Sequence, residues 1–328
     1  MSTLLDTITS PVLPAPMAGG PTTPELVIAA EEADSLGTLG EGTSTIEAAR
    51  GAISACAGHR FGVNLFHPQA PLDDAHLDHV RHLAAAEGVE VPQVDYSFGW
   101  QAKLDAALAG GAAVVWSMFG VFAPREVAHI HAAGAEAWTT VTTPAEARAA
   151  AAAGVDALCV QGPEAGGHRG VWDPAAEPDQ RPLEQLVAAV HAECPSLPLI
   201  ASGGLRDAED VARALSWPGV VKVSCGSAFL LATEAGTSLH NRTLLAAGGR
   251  SVSTRAFSGR YARGLETAFT RAHPQLPLVY PYLNAILKPR RQNQDPDVDY
   301  CLVGPEAEKI NGGSVAEILH HLYPNKRQ

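Results

Sequence analysis

Cysteine is scarce in this sequence, and its few cysteines lie far apart. The chain of 328 residues has five, at Cys56, Cys159, Cys194, Cys225 and Cys301, with no C-x-x-C pair among them. A disulfide framework or a zinc site needs cysteines or histidines at short, regular spacing. The sequence therefore predicts reduced, mostly buried thiols and no metal site.

Long apolar runs and blocks of positive charge are missing as well. No stretch of about 18 or more apolar residues occurs, as a membrane span would need, and the first residues lack the basic and apolar regions of a secretion signal. The net charge is −12, with Lys and Arg scattered along the chain. We therefore expect a cytoplasmic protein that binds neither membranes nor nucleic acid. A phosphate cofactor stays open, because backbone N–H groups can hold a phosphate without basic side chains.

Short apolar runs alternate along the chain with longer segments of helical, Ala-rich composition. This alternation is typical of repeated βα units around a parallel sheet. The predicted strands are Val12–Met17, Leu36–Gly40, Phe61–Phe66, Val114–Phe119, Ala137–Val141, Ala157–Gln161, Leu199–Ser202 and Val220–Cys225. The predicted helices are Pro24–Ala33, Leu72–Glu87, Trp100–Leu108, Pro124–Ala133, Pro144–Ala153, Pro182–Ala192 and Asp207–Leu215.

Eight units of fairly even length favour a closed barrel over an open doubly wound sheet. The first strand is also not followed by the G-x-G-x-x-G turn of dinucleotide-binding sheets. The sequence thus predicts an α/β fold, a (β/α)8 TIM barrel. We place this barrel in residues 1–253. Residues 254–328 then form a helical and loop extension over the barrel mouth.

Glycine-containing turns follow the seventh and eighth predicted strands, where barrels often hold a phosphate. They are Ser202-Gly203-Gly204 and Gly226-Ser227. Glycines allow close backbone approach and let N–H groups turn toward the phosphate. The alternative is that these glycines only make tight turns. Two such turns at neighbouring strand ends favour the phosphate site.

A histidine lies in a glycine-rich loop after the sixth predicted strand. The loop reads Gly166-Gly167-His168-Arg169-Gly170 and offers little for a core side chain to pack against. We therefore expect His168 to face a cavity, where an imidazole can exchange protons or, when protonated, attract an anion. An exposed loop histidine is the alternative interpretation.

Several motifs, in order along nearly the whole chain, resemble those of the FMN-dependent nitronate monooxygenases. The E-A-G-G-H element at Glu164 to His168 is the most specific of them. The other motifs are the segments Pro14–Gly20, Thr22–Leu26, Leu36–Gly40, Phe61–Asn64, Ser117–Gly120 and Ala201–Gly204.

The resemblance implies an FMN lying across the barrel mouth, with His168 as the catalytic residue beside the flavin ring. The cofactor contacts it implies are Ala15, Pro16, Met17, Asn64, Gln161, Gly166, Gly167, Ser202, Gly203, Gly204, Gly226 and Ser227. Candidate substrate contacts are Ser117 of the fourth strand and Tyr280, Tyr282 and Asn284 of the C-terminal segment. For that C-terminal segment, burial of amphipathic aromatics in the extension is an equal alternative.

The resemblance also implies a reaction, in which an alkyl nitronate such as propionate 3-nitronate and O2 give a carbonyl compound and nitrite. His168 would either abstract the α-proton of a neutral nitroalkane or stabilise the anionic nitronate, and we favour the second role. The expected partners are the nitronate or nitroalkane and O2, and the chain is expected to be a monomer or a homodimer.

Three other functions stay open from the sequence. NADH-dependent enoyl-thioester or quinone reductases use flavin on the same barrel, and the reductases of enoyl thioesters share the E-A-G-G-H loop. A flavin-free isomerase or aldolase barrel is a second alternative, although no lysine stands at a strand end in an evidently deprotonating setting. A flavin carrier without catalytic activity is the third.

Overall fold

Eleven strands are present in the computed structural model, which describes residues 3–324. They are β1 (Val12–Pro14), β2 (Thr38–Gly40), β3 (Gly62–Phe66), β4 (Val114–Met118), β5 (Glu136–Val141), β6 (Ala157–Gln161), β7 (Gly167–His168), β8 (Leu199–Ser202), β9 (Val220–Cys225), β10 (Ser251–Thr254) and β11 (Ala262–Leu265). Eight of them form one parallel sheet in the order β1-β9-β8-β6-β5-β4-β3-β2. With helices between the strands, this sheet is a nearly closed (β/α)8 barrel, so the predicted fold is confirmed.

Fourteen α-helices surround the barrel or belong to the extension in the described chain. They are α1 (Leu4–Thr7), α2 (Pro24–Glu32), α3 (Ile46–Ala55), α4 (Asp74–Ala86), α5 (Trp100–Ala109), α6 (Pro124–Ala132), α7 (Pro144–Ala153), α8 (Leu183–Glu193), α9 (Ala208–Leu215), α10 (Leu239–Ala247), α11 (Ala268–Ala272), α12 (Tyr282–Ile286), α13 (Lys288–Gln292) and α14 (Val315–Leu322). Proline in the first turn starts α2, α6 and α7, as its fixed φ allows.

The strands divide their side chains between two apolar cores, because successive residues of a strand point to opposite faces. Val114, Trp116 and Trp138 pack inside the barrel. Val115 and Leu158 point outward and pack under the helices in the larger cluster. Both faces of these strands are therefore buried, which explains why the runs read as continuously apolar.

The crossover between β3 and β4 differs from the sequence prediction. Helix α5 packs against β3 and β4, whereas α4 packs against α12 of the extension. Val80 and Ala84 of α4 accordingly share a core with Leu283 and Ile286. The crossover from β2 to β3 is α3, which the sequence analysis did not identify. Its start is nevertheless signalled by Thr45, whose side chain accepts from the Ala48 N–H.

A second, smaller sheet ties the extension to the barrel mouth. Its antiparallel order is β10-β11-β7, so the loop that carries His168 pairs with a strand from beyond residue 253. Strand β10 spans Ser251–Thr254 and so crosses the predicted boundary between 253 and 254. The division into two domains remains a prediction.

All five cysteines are buried and free, as predicted. Among residues 3–324, no helix combines the length and the apolar character that crossing a bilayer requires.

Candidate active site

A cavity of about 300 Å³ opens at the carboxyl ends of the barrel strands. This volume is at the lower end of the range typical of small-molecule sites. Fourteen of the predicted site residues border it: Ala15, Pro16, Met17, Asn64, Gln161, Gly166, Gly167, His168, Ser202, Gly203, Gly204, Gly226, Ser227 and Asn284. The turns after β6, β8 and β9 thus meet in one place, because parallel strands end at the same edge of the barrel.

One end of the cavity is a cradle of backbone and small residues. Gly203 and Gly204 have φ of +117° and +71°, which only glycine adopts without strain. A Cβ at Gly166 would lie 2.4 Å from the Gly304 nitrogen. The two backbone segments therefore approach too closely to leave room for a side chain. The Gly304 N–H donates to Ser227 Oγ at 2.9 Å, which fixes that hydroxyl at the edge of the cradle.

A buried hydroxyl without a partner borders the same end. Ser224 is 1% exposed, lines the cavity, and its Oγ has no hydrogen-bond partner in the described chain. Buried polar groups are usually hydrogen-bonded. Ser224 is therefore suited to a polar ligand atom. The sequence analysis missed it, although it lies only two residues before Gly226 of the predicted turn.

The loop that carries His168 is braced from beneath by Gln161 at the end of β6. Gln161 Nε2 donates to the His168 carbonyl at 3.0 Å, and the Gly170 N–H donates to Gln161 Oε1 at 2.7 Å. On the other side, His168 pairs with Ala262 of β11. This bracing holds a glycine-rich loop in a fixed position at the cavity wall.

The imidazole of His168 is held among aromatic rings and one hydroxyl. Its Nε2 lies 2.7 Å from Ser258 Oγ. The rings of Phe119 and Tyr280 contact it edge-on, with centroids 5.8 and 5.9 Å away. Burial, with a smaller effect of the positive charge of Arg260, lowers the pKa of His168 to about 3. The imidazole is therefore neutral at pH 7. It borders the cavity, as the sequence analysis predicted.

The predicted substrate residues are placed differently from one another. Asn284 borders the cavity, and its Oδ1 accepts from Arg291 at 2.7 Å. Tyr280 lies behind the His168 ring. Tyr282 is turned toward Tyr96, whose hydroxyl donates to it at 3.1 Å. Ser117 is fully buried on the outer face of β4, with its Oγ 2.9 Å from Thr139 Oγ1.

Other cavity residues escaped the sequence analysis. Trp116 and Met118, the neighbours of Ser117 in the strand, border the cavity instead of it, because alternate residues of β4 face the barrel interior. From the extension come Tyr300 and Gly304, which follow no strand of the barrel. The strand alternation was a usable signal for Trp116 and Met118. No local signal marked the residues of the extension.

Comparisons with known proteins agree with this architecture. The family model described as nitronate monooxygenase matches residues 1–324. The nitronate monooxygenase of Paraburkholderia phytofirmans is 35% identical over 82% of this chain and 78% of its own. That of Pseudomonas aeruginosa is 34% identical over 84% and 83% of the two chains.

Two solved structures are also similar. Nitroalkane oxidase from Streptomyces ansochromogenes superposes with a TM-score of 0.89 at 33% identity, covering 98% of this chain and 96% of its own. FabK from Thermotoga maritima has a TM-score of 0.74 at 23% identity, covering 97% and 93%, and this likeness shows the fold alone. With a family match over residues 1–324 and relatives above 30% identity, the chain belongs to the nitronate monooxygenase family and is a flavin oxidoreductase.

Proposed function

We propose that this enzyme binds FMN and oxidises alkyl nitronates, such as propionate 3-nitronate, with O2 to a carbonyl compound and nitrite. The observation that carries the proposal is the pairing of two features in one cavity. A glycine cradle forms one end, and a braced, neutral His168 stands on the wall.

The residues of the cradle fit the phosphate of FMN. Gly203, Gly204 and Gly226 allow close backbone approach, and the Ser227 hydroxyl is already fixed by Gly304. The unpartnered Ser224 Oγ gives a buried polar atom that a flavin could satisfy. Bound FMN would supply the electron transfer between nitronate and O2.

The neutral state of His168 supports a nitronate rather than a neutral nitroalkane as the substrate. A group whose conjugate acid has a pKa of about 3 is a weak base at pH 7. It is poorly matched to removing a carbon-bound proton. A nitronate has already lost that proton, so the imidazole needs only to hold and orient it.

Ser258 determines which imidazole nitrogen is free for the substrate. Its Oγ occupies Nε2 at 2.7 Å, which leaves Nδ1 for a ligand. The Ser258 hydroxyl has two acceptors within reach, His168 Nε2 at 2.7 Å and the Arg260 carbonyl at 3.4 Å. The shorter distance favours donation to Nε2, which places the proton of the neutral ring on Nδ1. We propose that this N–H donates to a nitronate oxygen, a role that the ring keeps at every pH where it stays neutral.

One experiment tests the cofactor and the reaction together. The purified protein is examined by visible spectroscopy, and the flavin released on denaturation is identified by chromatography. Nitrite release and O2 uptake are then measured with propionate 3-nitronate and with its neutral nitro form, each with and without NADH. We expect released FMN and nitrite formation from the nitronate that does not depend on NADH.

Other outcomes would replace the proposal. A colourless protein without flavin would contradict it and favour the isomerase alternative. Rapid anaerobic bleaching of the flavin by NADH, with no nitrite from the nitronate, would favour a reductase. Bound flavin without turnover of any of these substrates would favour a carrier.

A further inference from the structure

Arg260 is a fully buried cation close to the active site. It is 0% exposed, and it follows Ser258 by two residues in the segment that connects to β11. Its guanidinium carbon lies 3.6 Å from the centre of the Phe119 ring and 5.2 Å from that of Tyr280. Burial lowers the pKa of Arg260 to about 10, so it is charged at pH 7.

The partners of this guanidinium are all uncharged. One nitrogen donates to the Gln69 side-chain oxygen at 3.3 Å, and another donates to the Val171 carbonyl. The third, Nε, has no hydrogen-bond partner in the described chain. Within residues 3–324, no carboxylate forms an ion pair with Arg260.

Such a group is costly to bury. An ionised side chain without an ion pair loses its hydration on burial. The carboxylates of Glu146 and Asp173 attract Arg260 from a distance, but burial has the larger effect on its pKa. The neighbouring ring adds to this cost, because Phe119 has a φ of +70°, which is unfavourable for a bulky residue. The buried charge of Arg260 and the strained backbone of Phe119 both lie beside the cavity. Strained or costly groups of this kind cluster at ligand-binding sites, where they have a function.

Arg260 and His168 face the same two rings. Phe119 and Tyr280 each contact the imidazole and each lie under the guanidinium. The titratable or charged groups around His168 are Arg260 and Tyr280, since Arg169 turns away toward the Gln161 and Asp179 carbonyls and Arg263 turns toward that of Pro163. The positive charge near the imidazole is thus that of Arg260, behind the aromatic wall.

Arg206 also borders the cavity, but it is paired with Asp210 and Glu306. We propose that Arg260 is the fixed positive charge without an ion pair at the His168 end of this site and that it selects an anionic nitronate over a neutral nitroalkane. It acts through space as a positioning residue, across an apolar aromatic layer of low dielectric in which charges interact strongly. His168 supplies the contact, and Arg260 supplies the charge that a neutral imidazole lacks. The substrate class in this inference rests on the proposed function.

The first test compares Arg260→Gln with Arg260→Lys. The measurement is the ratio of kcat/KM for ethyl nitronate to that for nitroethane, a pair without other charges. We expect Arg260→Gln to lower this ratio by about 10- to 100-fold, and Arg260→Lys to keep it within about threefold because the charge remains. A purely structural role would lower both rate constants together and leave the ratio unchanged.

A second pair of variants leaves Arg260 in place and changes its neighbour Gln69. One of the two adds a negative charge that compensates the guanidinium. Gln69→Glu would place a carboxylate at the hydrogen-bond distance that Gln69 now occupies. Gln69→Met loses the same hydrogen bonds and adds no charge. We expect Gln69→Glu to lower the ratio and Gln69→Met to leave it near the wild-type value. This pair keeps the test decisive if Arg260→Gln does not fold.

A titration of His168 separates this inference from the proposed function. Imidazole nitrogen shifts are followed by NMR on the purified protein between pH 4 and 8, and His168→Ala identifies the signal. We expect His168 to stay unprotonated in wild type and to begin to titrate in Arg260→Gln and Gln69→Glu, because a nearby positive charge is removed or compensated.

The outcomes are distinct. An unchanged His168 titration in both charge variants, or an unchanged substrate ratio in both, would overturn the role of Arg260. A protein inactive toward nitronates whose His168 nevertheless titrates as expected would overturn the proposed function. In that case, the effect of the Arg260 charge on the His168 end of the cavity would stand, and only the substrate would change.

Discussion

The two ends of the cavity are built in different ways. The cradle end consists of glycines, hydroxyls and backbone groups in turns that directly follow β8 and β9. At the His168 end, the side chains come from distant parts of the chain, and Ser258 lies 90 residues from the histidine that it contacts. Backbone groups suit a constant cofactor, whereas side chains can be changed to suit a substrate. We therefore expect mutations at the two ends to have separable effects on cofactor binding and on turnover.

The largest expected effect is at the His168 end. His168→Ala removes the imidazole that borders the cavity, and we expect nitrite release to fall by about 10²- to 10⁴-fold. The flavin content should be unchanged, because the cradle is untouched. Nitrite assays and the visible spectrum measure the two effects. Loss of flavin along with turnover would contradict the separation of the two ends.

The next largest effect is expected from a substitution at the cradle end, which should weaken cofactor binding. Gly166→Val adds side-chain atoms where even a Cβ would lie 2.4 Å from the Gly304 nitrogen. We expect flavin affinity to fall by about 5- to 150-fold, the result of about 1–3 kcal/mol of overpacking. Fluorescence titration of the apoprotein with FMN measures it. Gly51→Ala is the control, since a Cβ there meets nothing within 4 Å, and it should bind flavin normally.

A smaller effect is expected from the support of the imidazole. Ser258→Ala removes the hydroxyl 2.7 Å from His168 Nε2, so the ring loses its orientation and its preferred tautomer. We expect kcat to fall about tenfold with flavin bound normally, whereas Ser54→Ala, at an exposed position on α3, should have no effect. Wild-type kcat in Ser258→Ala would show that packing alone orients the ring.

The smallest effect concerns pH. Because the pKa of His168 is lowered to about 3, the imidazole stays neutral from pH 5.5 to 7.5. We expect kcat/KM for a nitronate to change by less than about twofold across this range. A sigmoidal change centred near pH 6.5 would show that the imidazole titrates as a free histidine does, and would make it the charged group of the site.

Protonation of His168 should also lower the stability of the fold. Its pKa in the folded state is below that of the unfolded chain, so the unfolded state binds more protons between about pH 6.5 and 3. Stability is therefore full above this range and falls as the pH decreases through it. Thermal melts of wild type and His168→Ala should converge with decreasing pH. Parallel melting curves would contradict this.

Much of the barrel could be predicted from the sequence because its signals are local. All eight barrel strands were placed within a few residues of their observed bounds. Helix α3 was missed since Gly51 interrupts its helix-forming composition. Helix α4 was found, but its packing partner was not. Its apolar face is the same whether it covers a barrel or an extension, so composition cannot assign the partner.

By itself, the sequence determined the βα repeat, the glycine turns of the cradle and the unusual loop around His168. Each of these features depends on residues that are close in sequence, because the backbone conformation of a turn or helix is determined by a short stretch of chain. Only the tertiary structure decided that Ser258, Tyr280 and Arg260 surround that imidazole, and that Trp116 rather than Ser117 faces the cavity. These contacts depend on strand register and on packing between residues that are distant in sequence. The pKa of a buried group depends in turn on the residues that surround it, so its charge is decided by the tertiary structure as well.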